Sequence, residues 1–285
     1  MPWAVYRGEG EKGKVGSRGT TVAAVAAVLV LSALPARQAL SGNAGRRGAM
    51  AWRSHGTDNA SMVSTLKANG VVRSPIVETS MRAVDRANFV DSDASSAYAD
   101  SPQPIGHGQT ISAPHMHAHM LEKLAPCLFP GAKVLDVGSG SGYLSAVIAS
   151  AIFGSDTSDG TGLAAGIEVY NELVTRSKRA IASVSEQHRQ WLESGNIVIE
   201  ASDGWSGRPC DAPYDAIHVG AAASKVPDAL VEQLKPNGRL VIPVGQQGAG
   251  QELLVLDKQA DGTMVPRERM GVMFVPLSHT NGKTL

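Results

Sequence analysis

Lys133-Val134-Leu135-Asp136-Val137-Gly138-Ser139-Gly140-Ser141-Gly142-Tyr143 is an apolar, β-branched run that breaks into alternating glycines and then into a helical pattern. The run reads as a strand over 133–137, the glycines as a tight turn, and 143–152 as the helix that follows. Glycine lets a backbone turn sharply and approach a ligand with no Cβ in the way. In an open parallel sheet, ligands bind beyond the carboxyl ends of the strands. A Gly-x-Gly-x-Gly turn alone also fits a tight turn with no ligand, so its neighbours must decide.

Two neighbours sharpen the reading. The spacing departs from the dinucleotide fingerprint G-x-G-x-x-G, because Tyr143 stands where its third glycine would be. Glu168 ends the next strand, where a carboxylate can accept hydrogen bonds from ribose hydroxyls, and Asp136 adds negative charge inside the first strand. Negative charge suits a cationic sulfonium better than a pyrophosphate. S-adenosylmethionine is therefore favoured over a nicotinamide dinucleotide on spacing and charge. Asp203, in Ala201-Ser202-Asp203-Gly204-Trp205, follows the third strand, where a carboxylate can accept from an adenine amine; an ordinary turn Asp before Gly is the alternative.

Outward from this stretch, strand-like runs recur at 164–168, 196–201, 215–219, 239–243, 252–257 and 270–275. Helical patterns at 143–152, 171–184 and 227–234 separate the early ones. Strands alternating with helices imply right-handed crossovers and a mostly parallel, two-faced sheet. The last two strands, with only 262–269 between them, are expected to pair antiparallel at one side. Upstream, 61–69 and 74–86 read as short helices, the second with Ser74 as N-cap and Pro75 in its first turn. Residues 91–112 read as a long binding loop or lid, and Ser112 as the opening of a helix closed by Pro130-Gly131.

The chain has 285 residues, 43% hydrophobic and 18% charged, an ordinary profile for a globular domain. Lys plus Arg and Asp plus Glu are both 26, so no net field points to nucleic acid or acidic membranes. Cys127 and Cys210 are too few for a disulfide framework or a thiolate zinc cluster. The neutral total hides a basic head: residues 1–49 carry a net +5 and the remaining 236 a net −5. Within the head, Thr21 to Leu34 is an apolar run of 14 residues, short for a membrane span, which needs about 20. It reads as a dispensable extension or as a signal, organelle address or anchor. Residues 50–285 read as one domain, with Met50 a possible start site and 155–162 a flexible insertion.

Other chemistries are weaker. His107, His115, His117 and His119 lie close in sequence, but no HExxH pattern is present, and no metal site is expected. The central position of Gly138 to Gly142 is Gly140, so the serine-hydrolase elbow lacks its nucleophile.

Gln109-Thr110-Ile111-Ser112-Ala113-Pro114-His115-Met116-His117, the Leu135 to Gly142 stretch and Pro213-Tyr214-Asp215-Ala216-Ile217-His218-Val219-Gly220-Ala221-Ala222-Ala223 strongly resemble the protein-L-isoaspartate (D-aspartate) O-methyltransferases. Asp100-Ser101-Pro102, Leu234 to Leu240 and Val275-Pro276-Leu277 fit as well, so the resemblance covers about 50–285. It implies an α/β class I S-adenosylmethionine-dependent methyltransferase (Rossmann-like) fold, with a seven-stranded, mostly parallel sheet and helices on both faces. The implied activity transfers the methyl of S-adenosyl-L-methionine to the α-carboxylate of L-isoaspartyl residues in damaged proteins, leaving S-adenosyl-L-homocysteine. The ester then closes to a succinimide that reopens partly to aspartate.

By matched position, the resemblance implies that Ser112, Thr110 and His117 form the catalytic set. Gln109, Ile111, Asp136, Gly138, Gly140, Ser141, Gly142, Glu168, Val169, Ser202, Asp203, Gln246 and Gln251 would hold the cofactor. A carboxylate is already ionised at pH 7, so Ser112 is expected to orient it rather than to act as a covalent nucleophile. The family often has Asp at the ribose position, where Glu168 is one methylene longer, and 154–163 is longer than usual. A methyltransferase with another acceptor, a non-catalytic S-adenosylmethionine-binding adaptor and, more distantly, a nicotinamide-dependent dehydrogenase are the alternatives. A cytosolic monomer is expected, without nucleic acid, and with membrane contact only through the extension if it is retained.

Overall fold

Hydrogen bonds at the helix starts set the upstream architecture in the computed structural model, which describes residues 54–91, 94–154, 160–246 and 248–279. The basic head with its apolar run lies outside the described residues, as does most of the 155–162 insertion. Helix α1 is Asn59–Ala68 and starts two residues before the sequence suggests, because Asp58 and Ser61 form a reciprocal capping box. Helix α2, Pro75–Ala83, ends earlier than expected, and a separate 3-10 turn over Arg86–Phe89 follows, capped by Asp85. Ser74 precedes α2 but caps nothing with its side chain; its hydroxyl donates to Glu122 at 2.7 Å.

The expected loop over 91–112 contains short regular elements: α3 at Ala94–Ala97 and a hairpin of β1, Gln103–Gly106, and β2, Gln109–Ile111. His107 and Gly108 turn it with φ of 53° and 69°. Strands this short show no period-2 pattern, which explains why the sequence reads as loop. Helix α4 is Pro114–Leu124, and its N-cap is Ala113 rather than Ser112, so the Ser112 hydroxyl is not spent on capping.

The main alternation then follows: β3 Lys133–Val137, α5 Tyr143–Phe153, β4 Leu163–Glu168, α6 Asn171–Val184, α7 Glu186–Ser194, β5 Ile197–Ala201, β6 Tyr214–Val219, α8 Asp228–Glu232, β7 Leu234–Val244, β8 Gln251–Lys258 and β9 Met264–Val272. Helix α7 has no counterpart in the sequence reading. It buries only His188 of its nine residues, so periodicity cannot reveal it, but Ser185 caps its start and Gly195, at φ 82°, ends it. The expected 227–234 helix stops at Glu232 because Leu234 already pairs with Tyr214 in the sheet. Strand β9 lies earlier than 270–275; its exposed edge alternates Arg267, Glu268 and Arg269, which hides it among polar residues.

The sheet is seven-stranded, ordered β5-β4-β3-β6-β7-β8-β9. Pairings are parallel from β5 through β7 and antiparallel for β7-β8 and β8-β9. The chain runs outward from β3 to β5 and then returns to β6 on β3's other side, so the strand order reverses beside β3. That reversal opens the crevice in which such sheets bind ligands. Alternate strand residues go to opposite faces. Val134, Ala164, Ala216 and Val241 pack under α1, α2, α4 and α5, while Leu135, Ile167, Ile217 and Leu240 form a second core to which Leu230 of α8 contributes. All eleven residues of α5 are buried, as its apolar sequence requires. Among the described residues, no helix is long and apolar enough to cross a membrane.

Gly142 shows how tightly the turn is held. It caps α5 at φ 83°, and a Cβ there would lie 2.8 Å from Ser177 Cβ on α6. Gly142→Ala is expected to destabilise the fold by about 1–3 kcal/mol, seen as a lower urea midpoint with an unchanged slope.

Candidate active site

The glycine turn sits at the end of β3, directly at the strand reversal. Gly138 and Ser139 donate to Ile167 O at 2.8 and 3.0 Å, which staples the turn to β4. Gly140 then donates to Glu168 Oε2 at 3.0 Å. Glu168 Oε1 accepts from the N–H groups of Val169 and Tyr170 at 2.8 and 3.1 Å. Burial raises this carboxyl above the ordinary glutamate range, and the three backbone donors partly offset that. Gly140 also lies against the hairpin: a Cβ there would be 3.1 Å from Ile105 Cδ1.

Two clefts open around the turn. The first, an open cleft of about 500 Å³, is lined by Glu168, Val169, Tyr170, Ser202, Gln109 and Ile105, together with the 275–278 segment. The second, of about 380 Å³, is lined by Ile111, Ser112, His117, Met120, Asp136, Ser139, Ser141, Tyr143 and His218. Thr110, Gly138, Gly140 and Gly220 line both, so the clefts are contiguous. His107, at the hairpin tip, stacks on Tyr170 with ring centres 4.9 Å apart and holds the tip at the mouth of the first cleft.

The second cleft has a polar floor. Asp136 points to the helix-covered face of the sheet, where its carboxylate must find donors. Ser145 donates to Oδ2 at 2.6 Å and His218 Nδ1 faces Oδ1 at 2.8 Å, while His218 Nε2 lies 3.4 Å from Met120 Sδ. His117 is buried and its Nδ1 lies 3.2 Å from Arg86 Nη1. Burial first, then the Arg86 charge, pushes the imidazole well below its usual value. It is therefore neutral at pH 7, and because Nδ1 accepts from Arg86, the proton resides on Nε2. Among the described residues, the hydroxyls of Ser139 and Tyr143 are buried without a hydrogen-bond partner, and burial pushes the tyrosine up to about 12.

The sequence-derived candidates divide as follows. Gln109, Glu168, Val169 and Ser202 come together in the first cleft, Ile111, Ser112, His117, Asp136 and Ser141 in the second, and Thr110, Gly138 and Gly140 between them. Gly142 shapes the turn from behind. Three candidates do not line the clefts. Asp203 accepts from Trp205 N at 2.9 Å and faces His279 Nδ1 at 2.7 Å, and does not line the cleft. Gln251 is buried and bonds both backbone groups of Phe274, and Gln246 is exposed outside the clefts. Arg86, Ser139, Tyr143, Tyr170 and His218 were not assigned roles from sequence. Tyr143 and Ser139 stand inside the diagnostic turn, whereas nothing local marks Arg86.

Among the described residues, the remaining histidines and thiols do not assemble a second centre. His115 Nδ1 faces Asp100 Oδ1 at 2.7 Å, and His119 faces Glu268 at 3.8 Å on a different element. Cys127 is half-buried, and burial raises its thiol further from a reactive thiolate; Cys210 is exposed, and both are free.

Comparison with known proteins agrees with this geometry. The family profile for protein-L-isoaspartate(D-aspartate) O-methyltransferase matches residues 57–282. Protein-L-isoaspartate O-methyltransferase 1 of Arabidopsis thaliana is 47% identical over 220 residues, covering 77% of this chain and 91% of its own. The Caenorhabditis elegans protein-L-isoaspartate O-methyltransferase is 41% identical, over 80% of this chain and 96% of its own. Among solved structures, a Plasmodium falciparum chain described as a protein-L-isoaspartate O-methyltransferase in complex with S-adenosyl-L-homocysteine superposes with a TM-score of 0.69 at 32% identity, covering 78% of this chain and 98% of that one.

Proposed function

The chain belongs to the protein-L-isoaspartate(D-aspartate) O-methyltransferase family, and on that premise we propose that its two clefts are the two halves of one methyl-transfer site. The enzyme transfers the methyl group of S-adenosyl-L-methionine to isoaspartyl residues. In our reading the first cleft takes the nucleoside and the second takes the acceptor carboxylate. The observation that carries it is the shared wall: Thr110, Gly138, Gly140 and Gly220 border both, so donor and acceptor can meet without a barrier.

The residues fit such a donor. Glu168 offers a carboxylate for ribose hydroxyls, Ile167 and Val169 offer apolar contact, and the turn brings backbone close with no Cβ. Bound S-adenosyl-L-methionine supplies an electrophilic methyl group and its own leaving group. The protein need only orient the acceptor and exclude water. Ser112, whose hydroxyl has no hydrogen bond among the described residues, donates to the carboxylate and aims it. His117 Nε2–H is a second donor for it. The hairpin through Ile105 and the segment through Leu277 cover the cleft.

This reading has the enzyme act on isoaspartyl residues of damaged proteins, as a monomer in the cytosol. Residues 50–285 suffice for the chemistry, and 1–49 govern delivery if retained. A two-cysteine composition and a repair role for cell proteins support the cytosol.

S-adenosyl-L-homocysteine is expected to raise the melting temperature, while a nicotinamide dinucleotide leaves it unchanged. Glu168→Gln places an amide N–H against backbone N–H donors and is expected to weaken S-adenosyl-L-homocysteine roughly tenfold by calorimetry. Because the folded carboxyl is raised, it protonates sooner than an ordinary glutamate on acidification, and the ionised form is the one that ribose hydroxyls favour. Affinity is therefore predicted to fall as pH drops towards that raised value, and the Gln variant to lose this dependence. Stabilisation by the nicotinamide compound instead would refute the cofactor assignment.

A further inference from the structure

Arg86 is fully buried, and beyond setting the His117 tautomer the mechanism above gives its charge no role. Its guanidinium donates to three neutral acceptors: Ala97 O at 2.9 Å, Ser112 O at 2.7 Å and His117 Nδ1 at 3.2 Å. Its centre lies 5.5 Å from the middle of the Tyr143 ring. Among the described residues it forms no ion pair with a carboxylate. The carboxylate whose charge acts on it is Asp100, whose oxygens are taken by Ser54 N and by His115. Burial lowers the guanidinium to about 10, which leaves it a cation at neutral pH.

A buried cation without a counter-ion is costly, and such groups are ordinarily paired. The groups Arg86 touches on the cleft side are the ones assigned to hold the acceptor: the Ser112 backbone and the His117 ring. We propose that Arg86 is a positioning residue that makes the acceptor cleft specific for an anion, so that an ionised carboxylate is bound and its neutral methyl ester is let go.

The geometry gives this two parts. The guanidinium fork fixes the Ser112 carbonyl, and with it the direction of the Ser112 side chain. It also occupies His117 Nδ1, which leaves Nε2–H as the donor towards the cleft. The positive charge behind both groups favours a carboxylate over an ester or amide of the same shape. Methyl transfer cancels the acceptor's charge as the new oxygen–carbon bond forms and the carbon–sulfur bonding pair leaves with sulfur. Arg86 then has nothing to complement, and the product is the weaker ligand. This inference rests on the placement of the acceptor in the second cleft.

The test uses the full-length protein saturated with S-adenosyl-L-homocysteine. Affinities are measured for three peptides of one sequence: isoaspartyl, its α-methyl ester and its α-amide. The isoaspartyl peptide is expected to bind at least about tenfold tighter than either neutral peptide. Equal affinities would overturn the proposal, whatever the variants do. Arg86→Gln is expected to bring the three affinities together and to raise KM by about tenfold, with kcat changed less and S-adenosyl-L-homocysteine affinity preserved. Arg86→Lys keeps the charge and restores part of the preference. An Arg86→Gln enzyme that still prefers the anion would also overturn it.

Should both variants fail to fold, nitrogen NMR of the wild-type His117 ring supplies an independent reading. The groups facing that ring are Arg86, His115, His218 and Tyr143, with Asp100 behind His115 and Asp136 behind His218. Nδ1 is expected to stay unprotonated across the neutral range, and a protonated Nδ1 would contradict the proposal. If the wild-type enzyme did not methylate the isoaspartyl peptide at all, the placement of the acceptor would fall instead.

Discussion

An Asp136→Ala variant is expected to show the largest loss of stability of any single change at the site. The carboxylate lies within the sheet core, 2% exposed, and it satisfies two buried groups, Ser145 Oγ and His218 Nδ1. Alanine leaves both without a partner, at on the order of 1–3 kcal/mol for each. Asp136→Asn keeps one acceptor oxygen and is expected to cost clearly less. Urea titrations of the three proteins measure the difference, and a loss below about 0.5 kcal/mol for alanine would show that the floor of the second cleft repacks without its carboxylate. The same variant frees the His218 ring that lines that cleft, so residual activity is expected to fall with the stability.

Ser112→Ala is expected to leave the fold and S-adenosyl-L-homocysteine affinity intact and to lower kcat/KM by about ten- to a hundredfold, the worth of one hydrogen bond to a charged group. Three observations motivate this. The Ser112 hydroxyl does not cap α4, it has no partner among the described residues, and the residue lines the second cleft. An orienting donor can be lost in part, because His117 and the cleft walls still hold the acceptor. A covalent nucleophile cannot. Residual turnover in the alanine variant therefore separates the two roles, and complete inactivity in a folded, cofactor-binding variant would contradict orientation.

The parts of the fold legible in the sequence are those whose burial is strong and periodic. β3 and α6 have the bounds the pattern suggests, and α5 differs by one residue, because each is largely apolar on its buried side and is followed by Gly or Ser. Elements stabilised by hydrogen bonding rather than burial were hidden. The hairpin before α4 has strands of four and three residues, and α7 is polar almost throughout. β9 is read in the sequence only from 270 onward, because the first part of this exposed edge strand carries charge.

The site divides along the same line. Residues inside or beside the glycine turn, Gly142 apart, fall in the clefts where the sequence reading puts them, since turn chemistry is local. The contacts that give the site its character join distant positions: Asp136 meets His218 across 82 residues, and Arg86 meets Ser112 across 26 and His117 across 31. Asp203, Gln246 and Gln251 match by position, yet Asp203 and Gln251 direct their side chains to His279 and Phe274. A sequence position names an element; the neighbours that claim its side chain are set by packing.

Transfer of labelled methyl from S-adenosyl-L-methionine to two peptides of one composition, one isoaspartyl and one aspartyl, tests the shared-cleft site most directly. Label released by mild base and confined to the isoaspartyl peptide, reduced but present with Ser112→Ala, is the predicted result. Label on neither peptide while S-adenosyl-L-homocysteine still binds, equal label on both, or label stable to base would contradict the assignment of the second cleft to an isoaspartyl carboxylate.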